Sequence, residues 1–461
     1  MSAVTAAPLL TDTMSPRTRM LLQGGVVPTL LRLAWPSTLV MLAQASVGLI
    51  ETWWVAHLGT EALAGMALVF PGFMMMQMLS AGAMGGGISS AIARALGAGR
   101  QADADALVLH ALVINGLLGL SFSALVLCFG SSLYTALGAT GGSLRAAVAY
   151  SDVVFGGAVL IWLSNAFASV LRGTGNMVLP STAIIAGVVV LMPLSPLLIY
   201  GWGPVPALGM AGAGWAVLTG MAVSTAWLGW AVISGRSIVR LRWAALRWVM
   251  FRDILSVGAV ASISTLQTTL TIALTTAVVA RAGGVDAVAG YGTGTRLEYL
   301  LVPLVFGLGA PLVALVGTNI GAGQTRRALR IALTGGALAF AVTESIGLAA
   351  AAWPEAWLGL FGSDPQMLAT GSAYLRVVGP SYGFFGLGLA LYFASQGAGQ
   401  LLWPLLSGLL RLLIAVGGGW LALRMTGSLT LVFAALAAGL VVYGVVLTMV
   451  IASGSWTRRA G

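Results

Sequence analysis

The chain has no lysine, one cysteine and two histidines, and only 7% of its 461 residues are charged, against roughly a quarter in an ordinary soluble domain. So little charge excludes a soluble fold. Cys128 stands alone in an apolar run, which excludes an internal disulfide and a cysteine metal cluster. His57 and His110 have no second ligand at metal spacing, so no metal site is expected, and His57 reads as an interfacial side chain. The glycine strings GAGRQ and GAGQTRR follow no strand and lead into no Lys-Ser/Thr, so they are not phosphate cradles. They read as helix caps in short turns. The lack of a P-loop argues against direct ATP coupling, and no cofactor is expected. No paired histidines, Ser-Lys pair or carboxylate dyad appears at a usable spacing, so the chain is not read as an enzyme.

What the chain has is apolar length. Hydrophobic residues make up 59% of it and the mean hydropathy is +0.98. The apolar runs are continuous and do not alternate, so they are helices lying in hydrocarbon, where the backbone must satisfy itself. Breaking them at Gly, Pro and charge clusters predicts an all-α membrane protein with twelve spans at 33–57, 62–92, 105–129, 147–171, 178–200, 210–234, 253–281, 286–318, 328–352, 372–395, 403–424 and 429–453. Each is long enough to cross about 30 Å.

The 22 arginines outnumber 12 acids, giving +10. In a soluble protein that excess would suggest nucleic acid, but here the arginines gather in alternate connections. Sixteen fall on one side, four on the other (Arg145, Arg281, Arg376, Arg424), and Arg296 and Arg411 lie inside spans. The positive-inside bias then predicts both termini in the cytoplasm, with no cleaved signal and no nucleic-acid partner. The organisation expected is a cytoplasmic tail at 1–32, a first lobe at 33–234, a linker at 235–252, a second lobe at 253–453 and a cytoplasmic tail at 454–461. The linker mixes Arg with Trp at helical spacing and reads as a basic amphipathic segment on the cytoplasmic leaflet.

An internal repeat relates the lobes. GAG at 97–99 returns at 321–323, and RGTGNMVLP at 172–180 returns as QGAGQLLWP at 396–404, both at a spacing of 224. EALAG at 61–65 returns as DAVAG at 286–290. Six spans per repeat is an even number, so the lobes share one orientation about an axis along the membrane normal. Two such bundles enclose a cleft that rocking opens to either side, which predicts alternating access by a transporter with a membrane-lipid environment and a monomeric default.

The stretch LAWPSTLVMLAQASVGLIETWWVAHLGTEALAGMALVFP with GISSAIARALGAG resembles the first two spans of multidrug and toxic compound extrusion (MATE) transporters. AGYGTGTRLEYLLVPLVFGLGAPLVALVGTNIGAG resembles the family's eighth span, and LRGTGNMVLP its turn between spans four and five. The resemblance implies twelve helices in two lobes, a central cavity, and antiport of lipophilic organic cations against H⁺ or Na⁺ in a bacterial inner membrane. In the DinF-like branch a span-one aspartate matches Glu51, and an asparagine matches Asn165, but that branch's Asn and Asp in span five fall on Leu191 and Ser195. Acids used by the NorM-like branch fall near Gln267 or Thr268 and on Phe385. The sodium ligands are therefore largely missing, and protons are the expected coupling ion, with Na⁺ as the alternative.

Glu51 lies inside an apolar span, where a charged carboxylate costs roughly 2.5–3.5 kcal/mol on insertion scales. Proton uptake and release is its expected role, against a hydrated, inert residue near the span's outer end. Glu298 reads as a second proton or cation site, or as the acid of an ion pair with Arg296 or Arg411. The ion-coupling set is thus Glu51, Glu298 and Asn165. The substrate cavity is expected to draw on Gln44, Met75 from the run MMMQM, Gln267, Tyr299 and Glu344, though Glu344 also reads as a peripheral acid held by a polar neighbour. A flippase for lipid-linked precursors is the rival reading; it calls for several cations in the spans, which offer chiefly Arg296 and Arg411. A channel would call for polar rings repeated by symmetry, whereas Glu51 falls opposite Thr275 in the repeat.

Overall fold

The computed structural model describes residues 15–454. The outer parts of both expected tails, including Arg458 and Arg459, lie outside the described residues. Twelve long apolar segments follow in chain order, all helical: α1 Val26–Ala56, α2 Thr60–Gly97, α3 Gln101–Ala136, α4 as the bent pair Gly141–Gly156 and Ala158–Gly173, α5 Val178–Tyr200, α6 Met210–Ile233, α7 Trp248–Gly284, α8 Ala287–Gly321, α9 Thr325–Ala352, α10 Pro365–Ala398, α11 Leu402–Thr426 and α12 Leu429–Ala452. The chain is a multi-pass membrane protein. Several helices run past the expected spans because their ends are polar; α1 begins at Val26, inside what reads as tail, and a short helix Pro16–Gln23 precedes it.

Breaks in the helices sit at equivalent places in the two halves. The two parts of α4 meet at 48° across Gly157, and α10 passes through a 3-10 turn at Gly379–Ser381, the same point of the second repeat. Pro180 and Pro404, also 224 apart, lie in the first turns of α5 and α11, where a missing N–H costs nothing. The glycines of the repeated turns explain themselves: Gly99 and Gly323 adopt φ of 72° and 73° after α2 and α8, a left-handed conformation that ends a helix and disfavours any side chain.

The linker differs from its expected helical form. Residues 236–247 are non-helical and lie along the start of α3. Gln101 Nε2 donates to the Ile238 carbonyl at 2.9 Å, the Arg240 N–H donates to Asp105 at 3.0 Å, and the Arg247 N–H donates to His110 Nε2 at 2.9 Å. Side chains of α3 thus take up backbone groups that a helix would have paired internally. His110, fully buried, is a docking point for this linker.

The halves meet at the arginine-rich face, called the basic face below. There α2 crosses α8 through a symmetric glycine contact: a Cβ on Gly97 would strike the backbone of Thr318, and one on Gly321 would strike that of Arg94. Both contacts map onto each other under the 224-residue shift, so the pseudo-twofold axis passes between them. Small residues let the two backbones approach this closely. Further toward the opposite face the halves part. The first half of α2, to Gln77, packs chiefly on helices of its own half, with Gly65 seated against Ser143, Ala146 and Ala147 of α4. The first half of α10, to Val378, likewise packs chiefly on α8, α9 and α12. A cleft therefore separates the halves and is floored at the basic face.

Candidate functional site

A buried acid (Glu51), a half-buried ion pair (Glu298 with Arg411) and a buried cation (Arg172) mark the membrane interior. Glu51, near the end of α1, is 5% exposed, with Ser195 of α5 next to it and Tyr150 of α4 within electrostatic reach. Among the described residues its Oε1 has no hydrogen-bond partner, nor does Ser195 Oγ. No cation pairs with Glu51 among the described residues. The helices bring these residues together because α1, α4 and α5 all turn over at the face opposite the basic one.

Glu298 on α8 is held differently. Arg411 Nη2 lies 3.2 Å from its Oε1, and Tyr374 Oη donates to its Oε2 at 3.3 Å. The Arg411 guanidinium also lies 5.5 Å from the centre of the Phe385 ring and 5.8 Å from that of Tyr443, so charge and packing both fix it. The pair lines a cavity of about 40 Å³ with Thr271, Thr275, Tyr291 and Tyr299, room for a few waters. Of the two partners the sequence offered Glu298, the fold selects Arg411. Arg296 turns instead to the Phe361 ring, 5.0 Å away.

The third site is the cleft floor. Arg172, at the end of α4, is 9% exposed, and its side chain forms no ion pair or hydrogen bond among the described residues. It lines a cavity between the halves together with Gly82, Ser89, Ser169, Phe306, Phe393 and Gln396. Sorting arginines by side assigns Arg172 to the basic face, and so misses it as an interior group. The repeat carries the missing signal, since Arg172 recurs as Gln396 in otherwise matching strings.

The other expected site residues scatter. Asn165 donates to Gln77 Oε1 and Ser80 Oγ, both at 2.8 Å, and so clamps α4 to the π-helical stretch Met78–Met84 of α2. No hydrogen bond joins Asn165 to Glu51 among the described residues, and its amide is committed to the α2–α4 contact. Glu344 accepts the Gly383 N–H at 2.7 Å, satisfying a donor freed by the break in α10, and it lines neither cavity described above. Its expected place in the cavity is replaced by the peripheral role. Gln267 is buried against Gly408 of α11, one turn from cavity residue Thr271, and outside the cavity lining. Tyr299 does line the Glu298 cavity. Met75 is 39% exposed while Met76 is the buried member of its run. Gln44 is half-buried, without a side-chain hydrogen bond among the described residues. No group of three His, Cys, Asp or Glu suited to a metal occurs among the described residues.

Comparison with known proteins agrees with this architecture. The MatE family model matches twice, over residues 36–197 and again over 261–421, two segments that begin 225 residues apart. A FAD transporter of Shewanella oneidensis is 30% identical over 382 residues, covering 81% of this chain and 82% of that one. A probable multidrug resistance protein NorM of Thermotoga maritima is 24% identical over 382 residues, covering 82% and 81%. A crystal structure of MATE in the bent conformation superposes with a TM-score of 0.88 at 25% identity, covering 96% of this chain and all of that one. The chain is thus a multi-pass membrane transporter. It belongs to the MatE family, whose curated relatives include multidrug efflux proteins.

Proposed function

We propose that the chain is a proton-coupled antiporter that exports substrate by rocking its two halves, with Glu51 as the proton carrier. The observation that carries this reading is the contrast between the acids: Glu51 has no cation partner among the described residues, while Glu298 is neutralised by Arg411. A lone carboxyl can gain and lose a proton without breaking an ion pair. Sodium asks for several oxygens, and around Glu51 Leu191 stands where the family's span-five asparagine would, leaving chiefly the Ser195 hydroxyl.

On this proposal the basic face is cytoplasmic, the protein is monomeric in a bacterial inner membrane, and the present conformation opens outward. A proton from outside reaches Glu51, substrate leaves outward, and loss of the proton to the cytoplasm after rocking resets the carrier. Lipophilic organic cations, the substrates the multidrug relatives suggest, would be held by Glu51 while it is deprotonated. A second substrate reading is a flavin dinucleotide of the kind named for the Shewanella relative. Arg172 in the cleft floor favours it, because a buried cation attracts phosphate and repels an organic cation.

The test uses purified protein in liposomes with an imposed pH or Na⁺ gradient, wild type beside Glu51→Gln and Glu298→Gln. Drive by pH alone, lost in Glu51→Gln, is expected. Na⁺ drive that needs Glu298 overturns the coupling proposal, and no movement under either gradient favours a lipid-linked precursor flippase.

A further inference from the structure

The cavity in the cleft floor is built from matched positions of the two repeats. Gly82 faces the repeat position of Phe306, Ser169 that of Phe393, and Arg172 that of Gln396, each 224 residues apart. The cavity therefore straddles the pseudo-twofold axis, where both halves must meet any substrate that passes between them. Its two walls have diverged in opposite directions.

The wall from the first half is small and polar. Gly82 leaves open space where a Cβ would stand. The Arg172 guanidinium has no protein partner among the described residues, and Ser169 Oγ is buried without one. The wall from the second half is aromatic, with Phe306 and Phe393 edge-to-face at 5.3 Å between ring centres. Gln396 joins the halves through one end: its Nε2 donates to Tyr392 Oη at 3.2 Å and to the Gly82 carbonyl at 3.4 Å, while its Oε1 is buried without a partner among the described residues. The cavity holds about 20 Å³, room for one water, or for one oxygen of an oxyanion.

We infer that this floor is a binding subsite for an aromatic anion: Arg172 and the Ser169 hydroxyl donate to one oxygen of a phosphate or similar group, while the ligand's ring lies in the cleft against Phe306 and Phe393. Two donors without protein partners line one oxygen-sized space and define the charged end, and the unpartnered Gln396 Oε1 beside them can accept from the P–OH of a singly charged phosphate. The phenyl pair defines the other, because ring faces and edges attract a further ring. An organic cation fits this floor poorly, since it would be placed beside a buried positive charge with no acid among the lining residues. The inference deepens the second substrate reading above and is independent of the coupling ion.

A matched set of ligands tests it: 1-naphthyl phosphate, 1-naphthol and 1-naphthylmethylammonium, titrated calorimetrically against the full chain in lipid nanodiscs with no gradient present. Wild type is expected to bind the phosphate ahead of the alcohol and the ammonium. Arg172→Gln, which copies the residue of the other repeat, should weaken phosphate binding about tenfold or more, the loss of one charge-assisted hydrogen bond, and leave the alcohol unchanged. Arg172→Lys should retain part of the affinity, and Gln396→Arg should tighten it. Ser169→Ala, the least disruptive change, should weaken the phosphate alone by a few-fold and guards against misfolding of the Arg172 variants. Equal binding of all three ligands by wild type, or unchanged phosphate affinity in folded Arg172→Gln, overturns the inference and leaves Arg172 as a helix C-terminal charge. Binding that survives in Glu51→Gln while pH drive is lost separates this subsite from the coupling mechanism.

Discussion

The two halves share a backbone plan and differ in where they keep their acid. In the first half the acid is on the first helix, at Glu51, beside the Ser195 hydroxyl and with no ion-pair partner among the described residues. In the second half the equivalent position is Thr275, whose buried hydroxyl has no partner among the described residues, and the acid sits one helix later at Glu298, tied to Arg411. Both carboxyls face the interior of their own bundle. Duplication thus preserved the packing that makes a pocket while leaving its chemistry free to diverge. Protonating Glu51 alters one group; protonating Glu298 also strands a cation in a partly dry site, a penalty of several kcal/mol.

That asymmetry is most directly broken at Glu51. Glu51→Gln keeps the side chain's shape and removes the exchangeable proton, so pH-driven transport in liposomes should fall by about 100-fold or more, as expected where an acid–base group is essential. Downhill exchange of substrate should persist in the same protein, because binding and rocking remain. If Glu51→Gln still concentrates substrate under a pH gradient, the two acids have been assigned the wrong way round.

The next effect falls on the one feature the halves hold in common. Gly97 and Gly321 let α2 and α8 touch backbone to backbone at the basic face. Valine at either position forces the helices apart and blocks closure there. Transport should drop by about tenfold, the effect of about 1.4 kcal/mol of overpacking against the closed contact. Because the contacts are symmetric, Gly97→Val and Gly321→Val should be equally severe; a large inequality would show that the axis is not where the glycines put it.

Glu298→Gln should act on stability more than on coupling. Its side chain and that of Arg411 are 18% and 17% exposed, so removing the acid leaves a largely desolvated guanidinium, at about 2 to 3 kcal/mol. A lowered melting temperature with pH drive retained is the expected outcome. The double variant Glu298→Gln/Arg411→Gln should recover much of the loss, which a double-mutant cycle measures directly.

Much of this was legible in the sequence, and the reason is periodicity. Apolar runs had to be helices because hydrocarbon satisfies no backbone group, and GAG and RGTGNMVLP fixed the repeat. Glu51 and Glu298 were visible because a carboxyl in an apolar run is rare. What could not be read was direction. Glu344 looks like Glu298 along the chain, but a break in α10 turns a backbone N–H toward it. Asn165 turns its amide to Gln77 and Ser80 of α2, partners that its place in the chain does not show. The linker's Arg and Trp spacing suits a helix, yet Gln101, Asp105 and His110 of α3 compete for its backbone. Arg172 sits at a helix end, where a charge ordinarily reports topology, and only the tertiary meeting of the halves buries it.

The smallest effect concerns the bond that makes closure of the basic face asymmetric. Arg94 on α2 reaches across to Asp253 on α7 at 2.6 Å and to the Gly397 carbonyl at 3.3 Å, and it also bonds Ser90 of its own helix. Ser90 Oγ in turn donates to the Gln396 carbonyl at 2.6 Å. Under the repeat, Arg94 and Asp253 correspond to Thr318 and Thr29, so the ion pair exists once and not twice. Asp253 is 41% exposed, which limits the pair to about 1 kcal/mol. Asp253→Asn should therefore shift the balance toward the state opened at the basic face by about fivefold. A cysteine at Thr318, buried under the closed contact, reports that opening through its labelling by an impermeant maleimide added from the basic side. The exposed Cys128 must first be replaced by serine. Labelling of Thr318→Cys should quicken about fivefold with Asp253→Asn at low salt. High salt screens the pair in the parent, so there the parent's rate should rise toward that of the variant. An unchanged rate at all salt concentrations would mean that the glycine contact alone holds the face shut.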